Sequence, residues 1–276
     1  MKIWHRGKLA AEHGDFLQKS ELRIKPIVRE SNPDKPSLYE FIIEEDDPAW
    51  PEVKRRLGDA PTYVRTEFSQ DEIARADWSI AWADHSIDNV RCGTFAWSED
   101  NIADLCKTCG TGWRQIQPFR IKREPKLGKN VFADFGSAFE LFCAPVVVNA
   151  LKTHGASGFD TQPIILNAED RPAASLMQLL ITETAKPSVA EELVEHERYC
   201  HTDCPVCGRT WHGHYTRGAL PLRKSALNPK VDFQLTGEWF GNGRTSRHEI
   251  LVSRRMVQLA LDFKWRGIQF IPVRTV

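Results

Sequence analysis

"CKTCG" at residues 106–110 returns as "CPVCG" at residues 204–208, and 94 residues lie between Cys109 and Cys204. A Cys-x-x-Cys turn points both sulfurs to one side, and backbone N–H groups inside the turn donate to them. The glycine that follows can take the positive φ that so tight a turn often requires, and Gly110 and Gly208 both stand there. Each knuckle supplies half of a tetrahedral four-sulfur shell, so two knuckles close one structural zinc site with no open position. The expected ligands are Cys106, Cys109, Cys204 and Cys207, around one zinc ion per chain.

Other readings compete. A thioredoxin-like redox pair sits at a helix start after a strand and needs only one Cys-x-x-Cys. Reversible disulfides and unligated thiols are further alternatives. The seven cysteines (92, 106, 109, 143, 200, 204 and 207) are an odd number. A chain in a reducing compartment has little use for a disulfide framework, which shifts the paired cysteines towards metal. Cys200, His201, His212 and His214 could supply a substitute ligand or a second site, or lie on ordinary surface. Spaced by two, His212 and His214 would share one face of a strand. Two complete cysteine pairs need no further ligand.

The chain of 276 residues is 41% hydrophobic and 27% charged, which is ordinary for a soluble globular protein of one or two domains. Thirty-seven basic residues balance 37 acidic ones, so no global field draws it to nucleic acid or to an anionic membrane. "MKIWHRGKLAAEHGDF" lacks the apolar segment of a secretory signal. The most apolar run, "LFCAPVVVNAL" (141–151), has 11 residues, against about 20 for a membrane helix. A cytoplasmic protein is expected, with no membrane partner.

Downstream of each knuckle the sequence repeats its build. "FELFCAPVVVNALKTHGASGFDTQPI" (139–164) aligns without a gap on "HEILVSRRMVQLALDFKWRGIQFIPV" (248–273). Glu140 meets Glu249, Gly158 meets Gly267 and Pro163 meets Pro272, with apolar residues coinciding at Leu141/Ile250, Phe142/Leu251, Val147/Met256, Val148/Val257 and Phe159/Ile268. Ser253 is a suitable N-cap, and Met256, Ala260 and Phe263 recur at helical spacing. Gly267 suits the left-handed helix stop, and "IQFIPV" then alternates as a strand. In the earlier copy Pro145 fits the first helical turn, and Gly155 or Gly158 the stop.

Elsewhere "SQDEIARADW" (69–78) carries a capping box in Ser69 and Glu72, and "LYEFIIEE" (38–45) and "SLMQLLIT" (175–182) read as strands. "RESNPDKPS" (29–37) and "REPKLGKN" (123–130) read as connectors, and "GEWFGNGRTSR" (237–247) as a glycine-rich loop that packs its aromatics. The expected fold is α+β, a single domain over 1–276. Its zinc-ribbon-like core has two related knuckle–strand–helix–strand units at about 104–167 and 200–276, with 1–65 as an unassigned N-terminal part.

Taken in order, "CKTCGTGWRQIQPFRIKREP", "SLMQLL", "CPVCGR" and "GEWFGNG…ILVSRRM…RGIQFIPV" resemble the double-CXXCG motif family, a set of myxobacterial paralogues. The resemblance covers about residues 65 to 275 and includes "FSQDEIARADW"; the four knuckle cysteines match the naming motifs. Some members are encoded beside toxins delivered to neighbouring cells and protect the producer. The resemblance therefore implies a cytoplasmic immunity protein that binds a cognate protein toxin.

The residues are compatible with that role. No G-x-S-x-G, H-E-x-x-H or paired-carboxylate motif is present, which argues against an enzyme. The candidate partner surface is "EEDDPAW" (44–50): Glu44, Glu45, Asp46 and Asp47 could mimic nucleic acid towards a basic toxin, with Trp50 as an anchor. The alternative is a solvated acidic turn. A nucleic-acid-binding zinc ribbon is the other reading. For it, "GWRQIQPFRIKR" (112–123) offers Arg114, Arg120, Lys122 and Arg123 with Trp113 and Phe119, against a zero net charge.

Overall fold

In β1 (Lys2–Ala10), His5, Gly7 and Leu9 face inward while their neighbours are more exposed, the period of two of a half-buried strand. The strand belongs to a computed structural model that describes residues 1–19, 22–29, 32–87, 101–135, 140–194 and 200–276. Cys92 and His196 lie outside the described residues. β1 pairs antiparallel with β3 (Asn32–Glu44) and β4 (Tyr63–Glu67), and β2 (Arg23–Arg29) adds on β3, giving the order β2-β3-β1-β4. Helices α1 (Gly14–Lys19) and α2 (Trp50–Leu57) bring Leu17, Val53 and Leu57 onto Leu9, Phe41 and Ile43.

This sheet and its helices are one of two compact units, 1–72 with 215–219; the other comprises 73–214 and 220–276. The sequence treats 1–276 as one domain with 1–65 as its N-terminal part, whereas the packing gives that part a core of its own. The short helix α3 (Gln70–Arg75) starts with the expected capping box: the Ser69 N–H donates to Glu72 Oε2 at 2.8 Å, and the Glu72 N–H to Ser69 Oγ at 3.3 Å.

In the second unit β5 (Trp78–Ala83) precedes the first knuckle, which lies between β6 (Ile102–Ala103) and β7 (Arg114–Gln115). There follow β8 (Arg120–Ile121), β9 (Phe132–Ala133), β10 (Leu141–Cys143), α4 (Pro145–Thr153), β11 (Phe159–Leu166), β12 (Arg171–Ile181) and the short α5 (Glu191–Val194). The second knuckle lies between β13 (His201–Asp203) and β14 (Thr210–His212). After it come β15 (Leu220–Leu222), β16 (Phe233–Leu235), β17 (Trp239–Gly241), β18 (Ser246–Arg247), β19 (Ile250–Ser253), α6 (Arg254–Asp262) and β20 (Ile268–Thr275).

Two five-stranded sheets result, β8-β11-β12-β10-β9 and β15-β20-β5-β19-β16, with a four-stranded sheet β13-β14-β17-β18 and the pair β6-β7. The fold is mixed α+β, as the sequence predicts. Val147, Val148 and Leu151 of α4 and Met256 and Val257 of α6 enter one core cluster with residues of both five-stranded sheets.

Several local readings change. Most of "RESNPDKPS" is strand: Arg29 ends β2 and Asn32–Ser37 belong to β3, and the two strands pair with register shifts. "GEWFGNGRTSR" is a hairpin, β17 against β18, rather than a loop. In α6 Ser253 Oγ accepts from the Met256 N–H as expected, but Phe263 is 50% exposed and forms the C-cap instead of joining the buried face. The left-handed stop of α6 is Lys264 (φ 51°) and that of α4 is Gly155 (φ 63°).

Gly158 and Gly267, both at φ 86°, serve a different purpose. A Cβ on Gly158 would stand 2.1 Å from the Phe233 carbonyl oxygen, and one on Gly267 2.3 Å from that of Phe132. Gly158→Ala and Gly267→Ala should each lower unfolding free energy by about 1–3 kcal/mol or more, from backbone strain plus the clash. At Gly155, where a Cβ meets nothing within 4 Å, alanine should cause a smaller loss of roughly 1 kcal/mol. Denaturant melts of the three variants check the ranking.

Candidate metal centre

Both knuckles close in the same way. The Gly110 N–H donates to the Cys106 carbonyl at 2.8 Å and the Cys106 N–H to that of Thr111 at 2.9 Å. In the second, Gly208 donates to Cys204 at 2.9 Å and Cys204 to Arg209 at 3.0 Å. Gly110 and Gly208 both have φ 70°. At Gly110 a side chain is excluded twice, because a Cβ would also lie 2.3 Å from the Arg244 carbonyl oxygen.

The two turns face one another. Cys106 Sγ lies 3.9 Å from Cys204 Sγ, Cys109 Sγ lies 3.6 Å from Cys207 Sγ, and all four sulfurs are within 4.8 Å of one another. Ligands about 2.3 Å from a tetrahedral centre stand roughly 3.8 Å apart, so the donor set fits a metal of that geometry, zinc among them. These separations are far beyond the ~2.05 Å of a disulfide. Among the described residues this is the group of three or more cysteine, histidine or acidic side chains that could hold a metal ion.

Backbone donors prepare the sulfurs for charge. N–H groups of Cys109 and Thr108 lower the Cys106 thiol, and the Arg209 N–H brings Cys207 down to about 6. Burial instead pushes Cys109 up to about 11, although Thr111 Oγ1 lies 3.0 Å from its sulfur. A thiolate at that position gains most from a bound cation. The β17–β18 hairpin holds the first knuckle from outside: Ser246 Oγ donates to the Cys109 carbonyl at 3.0 Å, and Trp113 Nε1 to the Ser246 carbonyl at 2.7 Å. The sequence offers Trp113 only as an aromatic of the basic segment and does not point to Ser246, so neither is expected as a support of the knuckle. A signal was there: Trp113 follows Cys109 at the spacing at which Trp211 follows Cys207.

Cys200 is exposed and outside the cluster. His212 and His214 do not share a strand face, because β14 ends at His212; His212 is buried and stands opposite His201, and His214 Nδ1 is 3.6 Å from Glu249. Burial lowers the His212 pKa.

The acidic run lies in the first unit and is largely engaged there. Glu44 pairs with Lys2 at 2.8 Å, Glu45 with His5 at 2.8 Å and also with Arg217, and Asp47 Oδ1 accepts from the Ala49 N–H at 2.8 Å. Trp50 stacks on His5 at 3.9 Å, and Asp46 remains exposed. In the basic segment Arg114 is 3.4 Å from Asp104 and Arg120 2.6 Å from Asp170, while Lys122 and Arg123 are exposed. Phe119 is buried against Phe142, and Trp113 is half-buried.

No family model matches the chain, and a search of curated proteins finds no match either. Among the described residues no helix is long and apolar enough to cross a membrane.

A cavity of about 170 Å³ is lined by Trp82, Asp134, Glu140, Arg247, His248 and Glu249, among others. Burial pushes the Glu140 carboxyl up to about 7, with a hydrogen bond to Gln178 acting the other way. The folded state therefore keeps a proton that the unfolded chain releases near pH 4.5, and stability falls as pH rises from there to about 7. Glu140→Gln should lack this slope and should gain on the parent by up to about 3 kcal/mol between pH 5 and pH 8, read from melts at each pH.

Replacing Cys106, Cys109, Cys204 or Cys207 by serine should abolish stoichiometric metal and lower Tm by roughly 10 °C or more. Cys200→Ser should change stability by less than about 0.5 kcal/mol. Elemental analysis and thermal melts of the five variants measure both.

Proposed function

We propose that the chain is a cytoplasmic immunity protein that neutralises a cognate bacterial toxin by stoichiometric binding, with one structural zinc. The zinc would sit in a zinc-ribbon-like core of two related knuckle–strand–helix–strand units. The observation that carries the non-catalytic reading is the mutual proximity of all four sulfurs, within 4.8 Å. Four protein ligands fill a tetrahedral shell, and hydrolytic zinc needs one position left for water. A toxin partner follows from the resemblance to the double-CXXCG family, in which some members protect against delivered toxins.

An inhibitor needs a rigid scaffold with a complementary surface. The second unit offers a groove of about 620 Å³ beside the second knuckle, with His201, Arg209, Arg223, Glu238 and Trp239 in its lining. On the acidic run, Asp46 is the side chain free to meet a basic partner without disturbing the first unit. Charge reversal at Glu44 or Glu45 would instead break the pairs with Lys2, His5 and Arg217.

Protection of cells expressing the toxin of a neighbouring gene should titrate near one to one, with a stable complex burying on the order of 1,200–2,000 Å². Asp46→Lys should slow association several-fold if the acidic turn meets a basic toxin, with the melting profile unchanged. Catalytic inactivation of the toxin by sub-stoichiometric protein, or protection without a detectable complex, would count against this function.

A further inference from the structure

The two five-stranded sheets match strand for strand, and their register is the same. In one, β12 pairs with β11 through Phe159↔Ile181 and Pro163↔Met177; in the other, β5 pairs with β20 through Ile268↔Ala83 and Pro272↔Ser79. β10 meets β9 through Cys143↔Phe132, and β19 meets β16 through Val252↔Phe233. Each sheet carries one parallel edge, β8 on β11 and β15 on β20. Even the isolated bridges correspond, Ser86↔Asp134 and Thr184↔Leu235.

Chain order, however, crosses these sheets. β5 precedes the first knuckle yet lies between β20 and β19, which follow the second. β12 precedes the second knuckle yet lies between β11 and β10, which follow the first. The separation of the paired cysteines, Cys106–Cys204 and Cys109–Cys207, is 98 residues, and the same step carries Ala83 to Ile181 and Ser79 to Met177. The strand and the knuckle thus travel together as one repeat.

Contacts between the halves are reciprocal. The Phe132 N–H donates to the Arg266 carbonyl at 3.2 Å, and the Phe233 N–H to that of Ser157 at 3.0 Å. Gly267 and Gly158 make the matching close approaches to Phe132 and Phe233. Such an interface has the self-complementary form of a twofold dimer.

We propose that the second unit is an intramolecular strand-exchanged pair of repeats, 78–166 and 171–275, with the four cysteines as the latch that closes it. Each repeat supplies the central strand of the other's sheet and half of the metal shell. Neither half has a complete sheet alone, and metal bound by both resists their separation. This rests on the four cysteines sharing one metal ion and is independent of any toxin partner.

The full chain can be tested with a protease site inserted in the exposed Asn167–Asp170 turn, between the repeats. Cys92 and Cys200 are replaced by serine, and two double variants place cysteines on exchanged pairs, Trp82→Cys/Gln269→Cys and Asp160→Cys/Leu180→Cys. After mild oxidation and cleavage, a non-reducing denaturing gel should show both variants at the mass of the uncut chain. Two separate pieces in both would overturn the exchange, because unexchanged strands would hold the two introduced cysteines apart and nothing would join the pieces. Should the double variants fail to fold, native mass spectrometry of the cleaved chain with its own strands decides. A one-to-one complex holding one zinc ion, released into pieces by a chelator, supports the latch. Pieces that part with zinc bound, or that stay together equally well after chelation, overturn it.

Discussion

Four sulfur atoms can share a tetrahedral shell only if two turns 98 residues apart in the chain are held face to face. A flexible chain closes a loop of that length at an entropic cost that grows slowly with length, so distance along the sequence is not the obstacle. Aim is. The hydrogen bonds of each knuckle fix the sulfur directions, and the β17–β18 hairpin holds the first knuckle through Ser246 and Trp113. Without a cation the buried Cys109 resists ionisation. For a metal held by all four sulfurs, affinity and correct folding would be two descriptions of one equilibrium.

The same demand for mutual aim runs through the core of the second unit. Side chains from α4 and α6 enter one cluster with strands of both sheets. Asp232 is one of the pins: it accepts from the Ser157 N–H at 3.0 Å and Ser253 Oγ at 2.8 Å, and it pairs with Arg255. Burial alone would raise its pKa, but these donors more than offset that and hold it below the ordinary range. The carboxylate thus ties the turn after α4 to the start of α6. A scaffold fixed at so many points would suit the proposed binding role, because little ordering would remain to be done on association.

Charges in the first unit show how composition and surface differ. Four consecutive acids suggest an anionic patch, yet Lys2, His5, Arg217 and the Ala49 N–H engage three of them. Charges neutralised within a fold contribute less to a partner's field than a count of residues implies. The basic segment after the first knuckle behaves similarly, with Asp104 and Asp170 against Arg114 and Arg120.

Much of the site was legible in the residues themselves. Cysteine spacing with glycine behind it specifies a knuckle because the chemistry is local, a turn with inward donors and a positive φ. The Ser69 and Ser253 caps and the Pro145 helix start were legible for the same reason, each being satisfied within one turn of helix. What no local pattern encodes is partnership. β10 and β19 are three or four residues long, and their sequences say nothing about which distant strand lies beside them. Only packing assigned β5 and β12 to opposite sheets, set Gly158 and Gly267 against carbonyls of the other repeat, and turned an acidic run towards its own unit. Those choices depend on excluded volume and hydrogen bonds between residues far apart in sequence, and the tertiary structure alone brings them together.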